Sequence, residues 1–462
     1  MLGGLKRMIR SWLEIQEAPG GSIRIEEKFD FNANAIKNEI WMRGDPLEIE
    51  QFYKSVYNGE AMFWASIPHI KLRKIHTGLP SIIVDTLTSI VVRDMNDITL
   101  NNRQDEWKEI SEENKFRDLI DQAISTALSI GDGAFKISFD KQISDLPIIE
   151  FYDSKDTEFK YVRGRFKEAI FRTTYSHNNK NYVLYETYGF GYVKYKLKTA
   201  DTDKEVQLNI IPQTAQLVDV AFGGYLEDAE GHMIQKGSYC MAIPFMVLKS
   251  TKWKGRGRSI FDLKTGAFDA FDEVFSQWMD ALRAGRATKY IPSSLVPRDP
   301  KTGKLYSSND FDNRFIVSGD DMKENGKNEI KVTQPAIPSD NYLETYISSL
   351  DLCLQGLISP STLGIDVKKM DNAEAQREKE KTTLYTRNKI IESLQSCLPL
   401  LVNNVLKAKD SYVNKTSDVD IEVTIEFGEY SNPSFEAQVE TVAKAKAGGI
   451  MSIETSVDEL YG

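Results

Sequence analysis

The sequence predicts an α+β fold, with sheet-forming and helical stretches in separate parts of the chain. Residues 134–222 are rich in Tyr, Phe, Val, Ile and Thr in short alternating runs, the pattern of a half-buried sheet. Residues 259–287 and 339–358 carry apolar side chains at helical three-and-four spacing. A third long helical pattern begins near residue 372 and continues to about residue 408.

Composition and charge narrow the class of protein. A chain of 462 residues with 41% hydrophobic and 27% charged residues can bury a real core and divide into about two to four domains. Its formal net charge of −10 argues against a nucleic-acid binder that is basic throughout, although local contacts depend on where the charges sit.

Cysteines and histidines are few and scattered. Three widely spaced cysteines predict no disulfide framework and favour a reducing compartment, and the four histidines suggest no metal site. No apolar run reaches the 18 residues of a membrane span, so synthesis in the cytoplasm is expected. The three cysteines are Cys240, Cys353 and Cys397, and the four histidines are His69, His76, His177 and His232.

The N-terminal part reads as mainly helical. Residues 4–17 form an amphipathic pattern whose basic face could touch a membrane or an anionic polymer, but packing on a neighbouring subunit or domain is the favoured reading. Residues 46–58 and 80–93 begin with Pro in the first turn, where a helix tolerates it. Residues 104–130 predict one longer helix that ends at Gly131-Asp132-Gly133.

The stretch 134–222 predicts an antiparallel sheet with hairpins. Polar segments at 177–181 and 199–204 separate its alternating runs and mark turns. Its many aromatic rings could stack on bases, but the alternation favours core positions and cross-strand pairs.

Residues 259–287 predict a long helix of about 43 Å with an apolar stripe and a set of acids largely off it. Two arginines near its C-terminal end suit the helix dipole. The stripe is Phe268, Phe271, Phe275, Trp278 and Leu282; the charged residues are Asp262, Asp269, Asp272, Glu273, Asp280, Arg283 and Arg286. Residues 288–338 predict a small β-rich unit, and 339–358 a returning helix.

The segment that follows mixes apolar side chains with two lysines. Pro360 ends the returning helix, and Gly364 permits a bend. Asp371 with Glu374 has the capping-box pattern that opens the third long helix, which Pro399 should bend. A strand at 420–430 and an Ala-rich helix with a Gly448-Gly449 turn complete the chain.

No catalytic motif is recognisable. The chain has no GxxxxGK[ST] phosphate loop, GxSxG elbow or HExxH pair, and nothing combines a nucleophile, a base and an oxyanion donor. The basic run at 252–258 precedes a helix N-terminus, where anions bind, but a flexible loop that pairs with acids elsewhere is the favoured reading. We therefore expect no enzyme activity, no catalytic residues, no metal and no cofactor.

Four segments in this order resemble the portal proteins (head-tail connectors) of tailed bacteriophages. They are WMRGDPLEIEQFY at 41–53, GRGRSIFDLKTGAFDAFDEVFSQW at 255–278, LQGLISPSTLGIDVKKMDNAEAQREKEK at 354–381 and NPSFEAQVETVAKAKAGGIMSIETSVDEL at 432–460. The resemblance covers most of the chain, and its motifs are diffuse.

The resemblance implies a portal fold with named parts. An α/β wing would comprise residues 1–258, with a kinked helix and a strand at 372–430 returning to it. The stem would be a helical hairpin of residues 259–287 and 339–358, joined by a β-rich clip at 288–338. A tunnel loop would occupy 359–371, and a short helical crown 431–462.

The resemblance also implies a function. The family forms a ring, usually of twelve subunits, at one capsid vertex of the virion, through which double-stranded DNA is packaged and ejected. Expected partners are the terminase large subunit, a head-completion or adaptor protein, and the major capsid and scaffolding proteins, with no membrane. The tunnel-loop residues expected to approach DNA or adjacent copies are Leu363, Gly364, Ile365, Val367, Lys368 and Lys369.

Several questions stay open at this stage. The stem charges, from Asp262 to Arg286, are expected to divide between the pore and pairs between subunits, and the sequence does not say which goes where. Lys368 and Lys369 either contact DNA or pair with Glu374, Glu378 or a neighbouring subunit. The alternative functions are another oligomeric phage protein of the tail or baseplate and, less favoured, an enzyme that acts on nucleic acid through the run at 252–258.

Overall fold

The computed structural model describes residues 29–57, 63–66, 73–306, 315–319, 329–365, 373–413 and 420–428. Beyond residue 428 it describes only positions 439, 442–444, 446, 452 and 455. Helices and sheets occupy separate stretches of this part of the chain, as an α+β fold requires. The helix predicted at 4–17 lies outside the described residues, and the crown expected at 431–462 stays a prediction.

In the described residues, five helices form the N-terminal layer. The predicted helices at 46–58 and 80–93 are confirmed within one residue at each end, and the second lies in the core with Ile83, Leu87 and Val91 fully buried. The helices are α1 (Phe31–Arg43), α2 (Pro46–Tyr57), α3 (Leu79–Asp94), α4 (Gln104–Glu113) and α5 (Phe116–Ser129).

Helix α1 was not predicted from the sequence. The Asp30 side chain accepts a hydrogen bond from the backbone N–H of Ala33 at 2.7 Å, and Gly44 ends the helix in the left-handed conformation. Its buried face includes the polar residues Asn34, Lys37 and Asn38, so apolar periodicity gives little sign of it.

The single helix predicted at 104–130 is wrong, because the chain breaks into α4 and α5 at Asn114 and Lys115. The Asn114 side-chain amide donates to the carbonyls of Ile110 and Pro147, each at 2.9 Å, and its oxygen accepts from the N–H of Ile149 at 2.7 Å. Lys115 then adopts φ +47°. One asparagine thereby ends a helix and joins it to the strand that begins at Ile148.

The predicted antiparallel sheet with hairpins is confirmed. Strands β4 to β8 pair in sequence order, and β9 adds to β7. The turn between β5 and β6 has two residues, Asn178 and Asn179, both with positive φ, as the right-handed strand twist favours. The strands are β4 (Thr157–Val162), β5 (Arg165–His177), β6 (Lys180–Gly189), β7 (Tyr192–Thr199), β8 (Glu205–Val206) and β9 (Val220–Ala221).

A second sheet has the order β12-β2-β3 and packs against this one, while two small pairs lie at the edges. The pair β10 (Leu226–Glu227) with β11 (Met233–Gln235) is a short hairpin, and β1 (Thr99–Leu100) pairs with a strand near the C-terminus. The strands of the second sheet are β2 (Gly133–Ser138), β3 (Ile148–Asp153) and β12 (Ala242–Phe245).

A buried ion pair lies in the core beside β2 and β6. The Lys136 ammonium donates to Glu186 at 2.8 Å and lies 4.9 Å from the ring centroid of Tyr152. Burial lowers the pKa of Lys136, but the Glu186 and Glu150 carboxylates outweigh it and hold that pKa above its ordinary value. The lysine is therefore charged in the core and fixes how the strands of the two sheets face each other.

A helical hairpin with a small sheet between its helices follows. Helix α6 (Thr265–Ala284) is shorter than the predicted 259–287, and α7 (Ser339–Leu354) is shorter than the predicted 339–358. Helix α6 begins late because Ser259 donates through its hydroxyl to the carbonyl of Leu128 at 3.1 Å and through its N–H to Asp262 at 3.0 Å.

The small sheet confirms the predicted β-rich character of residues 288–338. The central strand β13 (Thr288–Pro292) pairs in parallel with β14 (Phe315–Ser318) and antiparallel with β15 (Lys331–Thr333). Gly285 ends α6, and a Cβ at this position would lie 2.2 Å from Cδ1 of Ile337, so a larger residue would require the Ile337 side chain to move.

Helix α8 (Ala373–Tyr412) is 40 residues long and runs past the predicted end near residue 408. Pro399 lies inside it, and the bend expected there stays a prediction. The strand predicted at 420–430 is present as the shorter β16 (Val423–Thr424), which pairs with β1, and Phe427 makes a further bridge to Met95. The C-terminal strand therefore returns to the N-terminal layer.

Candidate functional site

The helical hairpin and its junction with the N-terminal layer form the candidate site. The start of α6 lies beside the end of α7, where the Lys264 ammonium donates to the carbonyl of Leu352 at 2.6 Å. The rings of Phe271, Phe275 and Trp278 on α6 surround Tyr346 of α7, with centroids 5.0, 6.1 and 5.8 Å from that of the tyrosine. The two helices are therefore antiparallel and share an aromatic core.

A second, polar stripe on α6 holds the chain segment 63–77. Asp269 accepts hydrogen bonds from the N–H groups of Trp64 at 2.7 Å and Ala65 at 2.9 Å. Ser276, two turns further along α6, accepts from the N–H of Ile75 at 2.9 Å. The described parts of this segment contain only one short 3₁₀ turn and no strand, so α6 supplies acceptors that its backbone otherwise lacks.

Asp272 lies between these two positions and binds the end of the same segment. It accepts from the Thr77 N–H at 3.0 Å and from the Thr77 hydroxyl at 2.8 Å. Its other oxygen lies 2.6 Å from Nδ1 of His76, whose ring packs on Trp41 of α1. Asp272 therefore links α6, the segment 63–77 and α1.

The pKa of Asp269 is raised to about 6. Burial is the main cause, the neighbouring Asp272 and Glu273 carboxylates act in the same direction, and the N–H groups of Ala65 and Trp64 oppose it. A carboxyl that titrates near neutral pH is thus buried at the junction of α6 with the N-terminal layer.

Asp262 makes the corresponding contact with α1, just before α6 begins. One of its oxygens accepts from the side-chain amides of Asn34 and Asn38, each at 2.9 Å, and lies 3.8 Å from the Lys37 ammonium. The polar buried face of α1 is therefore explained by a carboxylate that lies more than 220 residues away along the chain.

The oxygens of Asp262, Asp269 and Asp272 accept hydrogen bonds from donors of the same chain. The expectation that the stem acids divide between the pore and pairs between subunits stays a prediction. The remaining stem charges lie at positions that solvent reaches: Glu273, Asp280 and Arg283 are half-buried and Arg286 is exposed.

The described part of segment 359–371, the expected tunnel loop, packs on its own chain. A short 3₁₀ turn covers Pro360–Leu363, and Gly364 follows at φ +71°. The Thr383 hydroxyl of α8 accepts from the N–H of Ser359 at 2.9 Å. Leu363 and Ile365 lie half-buried against the main core, and their expected approach to DNA or adjacent copies stays a prediction. Val367, Lys368 and Lys369 lie outside the described residues.

The basic run at 252–258 is anchored through Arg256. Its guanidinium donates two hydrogen bonds to Asp132, at 2.8 and 3.0 Å, and reaches the carbonyls of Ser154 and Thr157. The ring of Phe31 lies 3.9 Å from the guanidinium carbon. Asp132 is fully buried, so this arginine is a structural group, as expected for a loop that pairs with acids elsewhere.

Sequence reasoning missed the donors Trp64, Ala65, His76 and Thr77. The available signal was the spacing of Asp269, Asp272 and Ser276, which repeats at three and four residues, one position after Phe268, Phe271 and Phe275. These three polar side chains therefore lie on one face of the helix, beside its apolar stripe.

The described residues offer no other chemistry that would define an activity. Within them, no group of three or more His, Cys, Asp or Glu side chains could hold a metal ion. Burial raises the pKa of the thiols of Cys240, Cys353 and Cys397 to about 12, so they are protonated at neutral pH. No helix in the described ranges is both long and apolar enough to cross a membrane.

Comparison with known proteins gives only remote likenesses. No protein-family model and no curated protein matches the chain. Among solved structures, it is similar to a chain in "Virion of native gene transfer agent (GTA) particle", with 11% identity, a TM-score of 0.40, and 98% of this chain and 97% of that chain covered.

Two further similar chains come from neck structures. For "Neck of native GTA particle computed with C12 symmetry" the identity is 11% and the TM-score 0.38, and for "Neck of empty GTA particle computed with C6 symmetry" they are 11% and 0.41. Each alignment covers 83% of this chain and 89% of the other. At TM-scores below 0.5, these likenesses define neither the family nor the activity of the chain.

Replacing Arg256 by Lys should lower the free energy of unfolding by about 2–4 kcal/mol, because lysine cannot make the two-pronged contact with the buried Asp132. Thermal or urea unfolding of the purified chain measures the effect. Arg43→Lys is the matched control: Arg43 also pairs with a carboxylate, Glu48 at 2.9 Å, but is exposed, so its loss should stay within about 0.5 kcal/mol. Equal losses in the two variants would contradict a special role for Arg256.

Replacing Asp269 by Ala should destabilise the chain more at pH 5 than at pH 7.5. The folded pKa of about 6 lies above the ordinary value of about 3.9, so folding takes up a proton between these values. The native site therefore gains stability as the pH falls through 6, and the alanine variant lacks this gain. The measurement is the difference in Tm from the wild-type chain at the two pH values.

Ser276→Ala is the control for this prediction, because Ser276 binds the same segment of chain and does not titrate. Its Tm difference should be the same at both pH values. An Asp269→Ala difference that is unchanged or smaller at pH 5 would show that the carboxyl is not protonated in the folded chain.

Proposed function

We propose that this chain is one subunit of a portal ring, the channel at one vertex of a phage capsid. The observation that carries the proposal is the three-stranded sheet between α6 and α7, which leaves apolar side chains exposed on both of its faces within the described residues. Tyr290 and Ile316 are 37% and 43% exposed on one face, and Val317 and Val332 are 41% and 61% exposed on the other.

Such a sheet needs a partner. Three short strands that leave apolar side chains in water on both faces gain little stability from burial. Exposed apolar groups continue along the hairpin, where Leu282 and Leu343 are 42% and 47% exposed. In a ring, each hairpin and sheet would lie between two neighbours, so copies of the chain would bury both sides at once.

The net negative charge of the chain supports a channel for DNA. The chain has a formal net charge of −10, and its affinity for a polyphosphate would grow with each phosphate that a lysine or arginine neutralises. An acidic wall with few cations would therefore let DNA slide. We assign Glu273, Asp280, Arg283 and Arg286 to the pore wall or to pairs between subunits, and Lys368 and Lys369 to DNA contact in the tunnel loop.

The portal assignment brings the remaining roles with it. The ring would be a homododecamer that serves as the conduit for DNA packaging and ejection. Residues 288–338 would form the clip that docks the terminase large subunit and later a head-completion or adaptor protein, while the wing would face major capsid and scaffolding proteins. The segmental sequence resemblance and the order α6, sheet, α7, loop, α8 support this arrangement. The chain would act as a structural virion protein and not as an enzyme.

Charge placed on the small sheet should prevent ring formation. Ile316→Asp and Val332→Asp, made separately, should each shift the purified protein from rings to monomers or small oligomers, because each places a charge in a contact between subunits. Light scattering after gel filtration and negative-stain images down the particle axis measure this. The control is Ile143→Asp, which is 74% exposed in a turn far along the chain from the sheet. A wild-type protein that forms a closed trimer or a fibre would favour a tail or baseplate role instead.

Replacing both Lys368 and Lys369 by Ala should leave rings intact but change the amount of DNA that particles package or retain. The reason is that two cations would be lost where the channel is narrowest. Nuclease-protected DNA per particle is the readout. The control is Lys180→Ala with Lys204→Ala, two exposed lysines at the start of β6 and in the connection between β7 and β8. Normal DNA content in the tunnel-loop variant would remove these lysines from the proposal.

A further inference from the structure

A large apolar cleft lies between the second sheet and helix α8. Its volume is about 1060 Å³, and it is lined by β12 and by residues of α8 between positions 392 and 407. Phe166, Phe190, Met246 and Leu400 provide much of its apolar lining, and Leu400 is 57% exposed. This volume slightly exceeds the usual range of small-molecule sites, so the cleft suits the face of a polypeptide segment.

The described chain begins next to this cleft. Phe31, in the first turn of α1, lies 3.9 Å from the Arg256 guanidinium and 5.5 Å from the Trp253 ring, and Arg256 also lines the cleft. Twenty-eight residues precede Phe29 and lie outside the described residues. The first turn of α1, which follows these residues, therefore contacts a residue that lines the cleft.

The sequence of that segment matches an apolar groove. Residues 4–17 place large apolar side chains on one helical face: Leu5, Met8, Ile9, Trp12 and Leu13. A helix of this length would span about 21 Å. Helices with one apolar face are recognised by apolar grooves, through anchors at three-and-four spacing. A tryptophan in the middle of the face is the residue type that most often acts as such an anchor.

We propose that residues 4–17 dock as a helix in the cleft of their own chain. The 11 residues from Ala18 to Lys28 include Pro19, Gly20 and Gly21 and could span at most about 36–40 Å. A flexible connection of this length gives an effective concentration in the millimolar range. A weak intrinsic affinity is then enough to keep the segment bound.

The charges favour docking with the end of the segment that leads into the connection beside the start of α1. Glu14 and Glu17 lie at the end of the segment that leads into the connection, and the cleft rim beside the start of α1 carries Lys249 and Lys254. Carboxylates at the linker end therefore meet ammonium groups at the rim from which the linker starts. The proposal does not depend on ring formation or on passage of DNA.

A cysteine introduced in place of Leu400 tests the docking. The native cysteines are buried, so a maleimide should label an added surface cysteine selectively. In the full-length chain, Leu400→Cys should react slowly because residues 4–17 cover it, and adding Trp12→Ser should speed labelling at least about tenfold. Tyr385→Cys is the matched control: it is on the same helix, 66% exposed and outside the cleft, and Trp12→Ser should not change its rate.

A disulfide trap identifies which copy supplies the segment. Ile9→Cys combined with Leu400→Cys should give an oxidised species that runs as a monomer on a non-reducing gel. A labelling rate of the Leu400→Cys thiol that Trp12→Ser leaves unchanged would overturn the proposal, since another group or none would then cover the cleft. A dimer ladder in the trap would also overturn it, because the occupant would be the segment of a second copy.

Discussion

The buried pair of Asp132 and Arg256 is the contact on which the rest of this architecture depends. Its partners come from the start of β2, the turn between β3 and β4, helix α1 and the loop that leads to α6. Burial raises the pKa of Asp132 even though Arg256 opposes the rise, so each charge is tolerated only because the other is present. Gly131 and Gly257 allow the two backbones to meet, since a Cβ on Gly257 would lie 2.0 Å from the carbonyl oxygen of Gly131. The direction in which α6 leaves the sheets is set at this point.

Helix α6 contacts two neighbouring parts of the chain. Its apolar stripe packs on α7, and its polar stripe binds the segment 63–77. Because both contacts lie within one chain, the hairpin keeps a defined orientation before any partner arrives. What remains for partners is the exposed side of the hairpin and both faces of the small sheet, which is where the proposed ring contacts fall. The geometry thus separates the groups that build the subunit from those that are available to assemble it.

Regular elements with a clear period were predictable from the sequence, whereas contacts between distant residues were not. Alternation predicts the sheet that contains β4 to β9. Three-and-four spacing predicts α2, α3, α6 and α7. Helix α1, the break at Asn114 and the roles of Asp262, Asp269 and Asp272 depend on polar partners. Two of those partners, Asn34 and Thr77, lie 228 and 195 residues from the carboxylates they bind, and a local pattern cannot name them. From the sequence, the acids beside the apolar stripe of α6 looked solvated. They are buried because backbone N–H groups of the segment 63–77 otherwise lack acceptors.

The polar stripe on α6 also has a mechanical consequence. Helix α6 accepts hydrogen bonds from the segment 63–77 at three positions, Asp269, Asp272 and Ser276, which span about 10 Å of the helix axis. A force along that axis would load these hydrogen bonds together, as parallel links in shear, and would not peel them apart one by one. The hairpin and the N-terminal layer would then resist separation along this axis as one body.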